Sequence, residues 1–186
     1  MKNFLVITSL LTLISCAHHD QKIKFSFDIE SQKQKVGHGV GIDLVMVDDR
    51  PDEVIGTKEY GPEEKIKIGS SENLAESLQK KIFANLLKRG FKNGWDSSLE
   101  IHVLKLDYRA KSEFFIGTSE ARAAIKVVAT NNRTGSSLTK NFSSSLDGKH
   151  FIRPLDSTDE ALINKLIQEL VESILDDEEV LNKLVK

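Results

Sequence analysis

The sequence predicts an α+β fold: a mixed, mostly antiparallel sheet of about four to five strands with two main helices packed on one face, in the order β-α-β-β-β-α. Apolar side chains alternate with polar ones along several segments, as on half-buried strands. Along two others they recur at three- and four-residue spacing, as on amphipathic helices. A short apolar N-terminus closing on the only cysteine sets a leader apart from this domain.

Val40, Ile42, Leu44 and Met46 share one face of the first firm strand, and Val45 and Val47 make its other face partly apolar, as in a central strand. Asp48-Asp49-Arg50-Pro51 ends it, because proline offers a ladder no donor. Residues 54–68, broken by Gly61-Pro62, read as a small hairpin or an excursion from the core. Ser70-Ser71 offers an N-cap to a helix carrying Leu74, Leu78, Ile82, Phe83, Leu86 and Leu87. Lys88-Arg89-Gly90 stops it, with glycine free to take the left-handed cap. Phe91 and Trp95 are expected to seal that helix end against the sheet.

Leu99, Ile101 and Val103 alternate cleanly, and then Leu104, Leu106 and Tyr108 continue in the opposite phase, which predicts a bulge near Val103-Leu104. Ala123, Ile125, Val127 and Ala129 line the next strand, and residues 131–135 turn the chain back into one presenting Leu138, Phe142 and Leu146. Ser157 and Glu160 have capping-box spacing ahead of a broad stripe from Leu162 to Leu175. Val180, Leu181, Leu184 and Val185 predict a short last helix.

Ahead of the domain, Lys2, the apolar run from Phe4 to Ile14 and Leu13-Ile14-Ser15-Cys16 form a lipoprotein signal peptide. The run is shorter than the ~20 apolar residues that a membrane span needs. The expected organisation is a leader over 1–15, an acylated Cys16 with a tether over 16–36, and a single α+β domain over 37–186. Acyl chains on Cys16 would anchor the protein firmly, since each buried methylene contributes about 0.8 kcal/mol. Ala17 instead of aspartate after that cysteine favours the outer membrane, on its periplasmic side. Ile23, Phe25, Phe27 and Ile29 alternate within the tether as one short edge strand. As a flexible coil, about 20 residues span roughly 25 Å, so the domain is expected to stand off the membrane.

Composition narrows the function. With 26 Lys and Arg against 28 Asp and Glu there is no basic footprint for nucleic acid. A lone cysteine permits no disulfide within the chain, so stability rests on the core.

The lipobox, the strand ending in Asp49-Arg50, the helix closing on Lys88-Arg89-Gly90-Phe91 and the stretch from Ala129 to Phe142 together resemble the YajG family of bacterial outer-membrane lipoproteins. The resemblance covers nearly the whole mature chain. It implies a Gram-negative envelope lipoprotein with an α+β domain, and it brings no biochemical activity with it.

The residues themselves show little reaction machinery. Asp48, Asp49, Asp52 and Glu53 lack calcium-loop spacing and read as turn acids with a local Arg50 partner. His18-His19 sits on the tether beside the anchor, and neither His102 nor His150 has a sequence-local nucleophile or carboxylate partner. Gly37, Gly39 and Gly41 precede a strand, whereas a phosphate-cradling loop would follow one. No catalytic residue, metal ligand or cofactor is therefore assigned, and the expected role is a membrane-anchored binding or assembly module with an envelope protein partner. The alternatives are an auxiliary subunit or ligand carrier in envelope lipid or small-molecule transport, and a hydrolase-type enzyme. Phe114 and Phe115, adjacent aromatics between two strands, are the candidate partner contact, because strand alternation turns only one ring inward.

Overall fold

The computed structural model describes residues 20–29, 35–61, 64–113, 116–151 and 154–186. Its elements run in the order β1 (Gln21–Ile23), β2 (Gly41–Asp48), β3 (Gly56–Glu59), β4 (Lys65–Ser70), α1 (Leu74–Lys88), β5 (Lys92–Asn93), β6 (Ser97–Glu113), β7 (Ile116–Asn131), β8 (Ser136–His150), α2 (Asp156–Leu175) and α3 (Glu178–Val185). The α+β class holds, with more strands than expected, and the short last helix forms as α3.

The long strand β6 is the spine of the sheet. One edge pairs along its length with antiparallel β7, which pairs in turn with antiparallel β8. The other edge is shared, with β2 parallel to Ser97–Val103 and β3 parallel to Tyr108–Lys111. β5 extends the sheet beyond β2, while β4 and then β1 extend it beyond β3. The predicted bulge lies between Val103 and Lys105, and it leaves Leu104 outside the pairing. The hairpin at 54–68 is thus part of the sheet. Its inner strand reads Gly-Thr-Lys-Glu, which carries no apolar alternation to announce burial.

Both main helices cover one face, as expected. Leu74 and Leu78 of α1 and Ile167 and Leu170 of α2 meet Val103, Leu106, Ala123 and Ile125 around a void of only about 10 Å³. Buried alanines at 121, 123 and 129 on β7 leave room for α2 and α3 to approach the sheet closely.

The helix ends differ in detail from the sequence reading. Asn73, and not Ser70 or Ser71, caps α1, its side chain accepting from Glu76 N at 3.0 Å. Ser71 instead donates to the Ile23 carbonyl at 2.9 Å, tying β1 to the start of that helix. Gly90, at φ +90°, ends α1 as predicted. The capping box at Ser157 and Glu160 does not form, and α2 begins after Leu155 without a side-chain cap. Its acids are engaged elsewhere: Asp159 points into the core, and Glu160 accepts from Lys24 N at 3.1 Å. Asp177 caps α3, and Lys140 of β8 holds that cap at 2.7 Å. Phe91 is buried as expected, but Trp95, in the turn that joins β5 to β6, stands in solvent.

The largest departure lies in the segment expected to be tether. After β1, residues 24–29 run extended, with Ile23, Phe25, Phe27 and Ile29 all buried in the core. The helices replace the missing strand neighbours. Glu72 of the turn before α1 accepts from Phe25 N at 2.8 Å, and Asn164 of α2 accepts from Ser26 N at 2.9 Å while donating to Lys24 O at 3.0 Å. Lys81 donates to Phe27 O and lies over that residue's ring, 4.7 Å from its centroid. The alternation was legible as an edge strand, but a sequence does not show that helix side chains supply the ladder.

Candidate functional site

Cys16, His18, His19, Phe114 and Phe115 lie outside the described residues. Their neighbours place them, in chain order, ahead of β1 and between β6 and β7. The turn acids are where the sequence put them: Arg50 holds Asp48 through contacts of 2.7 and 2.6 Å, and Asp52 caps its own turn through Val54 N at 2.9 Å. The Arg50 guanidinium outweighs the cost of burial and keeps the Asp48 carboxyl below the usual carboxylate range. Asp49 reaches across the open face to His102 Nδ1 at 2.7 Å. Among the described residues no group of three or more His, Cys, Asp or Glu side chains converges on a metal position.

A polar cluster that spacing did not reveal crosses the core. Lys58 enters from β3, Tyr108 from β6, Ser119 from β7, His150 from β8, and Asp156 and Asp159 from the first turn of α2. Lys58 is buried, with its ammonium 2.6 Å from Asp156 Oδ1 and ion-paired to Asp159 Oδ2. The Tyr108 hydroxyl donates to Asp159 Oδ1, and Ser119 Oγ lies 2.9 Å from His150 Nε2. Gly148 leaves space for that last pair, since a Cβ there would stand 2.5 Å from Ser119 Oγ.

The electrostatics follow from geometry. Burial disfavours the Lys58 ammonium, but hydrogen bonds to Asp156 and Asp159 outweigh it and raise the pKa above the usual lysine value. Burial, reinforced by the Asp159 carboxylate, pushes the Tyr108 phenol well above its usual range. Lys58 is thereby kept charged and Tyr108 neutral. Ser119 and His150 have the spacing of a nucleophile and its base, but a nucleophile must also meet substrate. Ser119 is buried between the Tyr108 phenol and half-exposed His150, so the pair forms the outer end of this polar cluster.

The hollows lie elsewhere. One of about 600 Å³ opens beside the end of α1 and the α2–α3 corner, where Arg89 donates to Leu175 O at 2.6 Å and to Asp176 Oδ1 at 2.5 Å. Another, of about 300 Å³, lies between Arg50 and the start of α1. The smaller is lined mainly by charged and polar side chains, whereas the larger mixes Val36, Leu181 and Val185 with charged groups.

Fold and cluster together define a class of protein: a helix-backed, curled mixed sheet whose buried polar groups hold its elements to one another. Within that class the chain belongs to a family of uncharacterized lipoproteins, whose model, Lipoprotein_16, matches residues 28–185. No curated protein sequence matches it. Among solved structures, protein XCC0632 of family DUF330 from Xanthomonas campestris is similar, with TM-score 0.61 and 9% identity over 89% of this chain and 97% of that one. The similarity shows a shared fold. Two weaker likenesses are to a minor lipoprotein from Acinetobacter baumannii (TM-score 0.35, 10% identity, 75% of this chain and 92% of that one) and to lipoprotein GNA1162 from Neisseria meningitidis (TM-score 0.28, 14% identity, 74% and 99%).

Proposed function

We propose that the protein is an outer-membrane lipoprotein of the YajG type, acylated on Cys16, whose periplasmic domain serves as a non-enzymatic binding or assembly module of the envelope. The observation that carries this reading is membership of a lipoprotein family over residues 28–185 in a chain whose lipobox cysteine stands just ahead of that match. No helix among the described residues is long and apolar enough to cross a membrane. The burial of the Ser119 hydroxyl beside half-exposed His150 supports a non-enzymatic role.

The transport reading is less well supported. A carrier that shelters a lipid between helices and sheet needs a pocket of some 300–1,000 Å³. The seam between α1, α2 and the sheet holds about 10 Å³, and the hollow of about 600 Å³ lies outside that seam, where Arg89, Asp176 and Glu178 share its lining with Val36, Leu181 and Val185.

Crosslinking in intact cells, followed by mass spectrometry of the captured adducts, tests the binding role. A reproducible envelope protein partner is the expected result. Turnover in a broad hydrolase screen that disappears in Ser119→Ala would replace this reading with an enzymatic one.

A further inference from the structure

The sheet register shows at which end of the molecule the chain begins. Gln21 pairs with Ile68, Ile68 with Gly56, and Gly56 with Tyr108, so these residues lie at one level across the sheet. β1 is parallel to β4, β4 antiparallel to β3, and β3 parallel to β6. Moving back along β1 from Ile23 to Gln21 therefore follows the same direction as moving forward along β6 from Tyr108 to the end of the strand at Glu113. An extended chain covers ~3.3–3.6 Å per residue, so Cys16 stands at most ~18 Å beyond the level of Gln21. At ~3.3 Å per strand residue, Glu113 stands ~17 Å beyond the same level. Even a fully stretched link brings the anchor only to the height of the β6–β7 tip.

That same end exposes large apolar side chains. Ile116 opens β7 beside the tip, and it is 63% exposed. Phe151, just past the end of β8, is 93% exposed, and Leu155, just ahead of α2, is 69% exposed. Gln21 Nε2 donates to the carbonyl of Asp156, the residue after Leu155, at 3.1 Å, which fixes the incoming chain beside this patch. Scattered exposed apolar residues need no explanation. Three at the end to which a lipid is tied by so short a link are a different matter.

We propose that this end of the molecule rests in the bilayer interface, with Ile116, Phe151 and Leu155 inserted among the lipids that hold the Cys16 anchor. The inference rests on the acylation of Cys16 and deepens that reading. The domain is pressed end-on to the membrane, and the β7–β8 hairpin with Trp95 points into the periplasm. Lipid anchoring of this kind is strengthened by a second, amphipathic contact.

The test uses full-length mature lipoprotein reconstituted in vesicles of phosphatidylethanolamine and phosphatidylglycerol containing brominated phosphatidylcholine. Acylation removes the chain's only native thiol, so Phe151→Cys and, separately, Ile116→Cys accept an environment-sensitive fluorophore at one position. Both probes are expected to shift to the blue and lose emission to brominated lipid, while Trp95, the only tryptophan, stays quenchable by aqueous acrylamide. Circular dichroism checks the fold of each variant, and intact mass reports the anchor independently. Probes left in water on an acylated, vesicle-bound chain overturn the end-on contact and leave the anchor standing. Shielding from acrylamide without quenching by brominated lipid assigns the patch to a protein and also overturns it. An unacylated Cys16 removes the anchor and the inference together.

Discussion

Asp159 is the residue on which the interior polar cluster turns. One carboxylate oxygen meets the Lys58 ammonium and the other accepts from Tyr108, all three groups being buried. Removing one partner of a buried pair leaves the other charge uncompensated, so Asp159→Ala is expected to cost about 3–5 kcal/mol. Tyr108→Phe removes a donor from a buried acceptor and should cost about 1–3 kcal/mol. Urea denaturation measures both, and a wild-type midpoint for Asp159→Ala would show that Asp156 alone satisfies Lys58. The cluster also sets a pH dependence. The Lys58 and Tyr108 pKa values both lie above their ordinary values of 10.5 and 10.0, so the folded state holds these protons more tightly than the unfolded chain. Their contribution is fully present below about pH 10 and is lost as pH rises beyond it. Melting temperature should therefore fall above that point, and fall less steeply in Tyr108→Phe. None of this was legible in the sequence: Lys58 sits in a strand without alternation, and Asp159 lies inside a stretch whose Ser157 and Glu160 read as a capping box, its partners being distant in the chain.

At the scale of elements, the extended segment after β1 behaves as a strap held between α1 and α2. Phe27 is buried beneath Lys81, and Phe27→Ala is expected to cost about 3–5 kcal/mol, a core-sized loss. A chain beginning at Val36 loses the buried side chains of Ile23, Phe25, Phe27 and Ile29 together with the backbone bonds that Glu72 and Asn164 accept. It should be less stable than one beginning at Ala17, and thermal melting of the two compares them directly. Equal melting temperatures would return the strap to the status of a spacer. Sequence patterning gave the period of this segment and not its neighbours, since alternation reports that one side is buried and says nothing of what buries it. The same gap explains β3, where Gly56 and Lys58 occupy inward positions that apolar residues usually take.

At the scale of the whole molecule, the helix layer and the sheet form one closed seam. Leu166 of α2 is fully buried there, so Leu166→Ala should cost about 2–5 kcal/mol in chemical denaturation. Cys16→Ala is expected to release the protein from membranes, and retention after an alkaline wash would mean that another attachment holds it. What the sequence determined by itself was local and periodic: the α+β class, the two main helices, the bulge at Val103-Leu104, the left-handed stop at Gly90 and the lipoprotein character. Those features are set by steric and hydrophobic preferences within a few residues of chain. Tertiary structure alone decided the division of the β6 edge between β2 and β3, the strap between the helices and the Lys58–Asp159–Tyr108 cluster. Each depends on residues brought together from distant parts of the chain, where the free energy of a buried charge or an extended backbone is set by partners that no local pattern encodes.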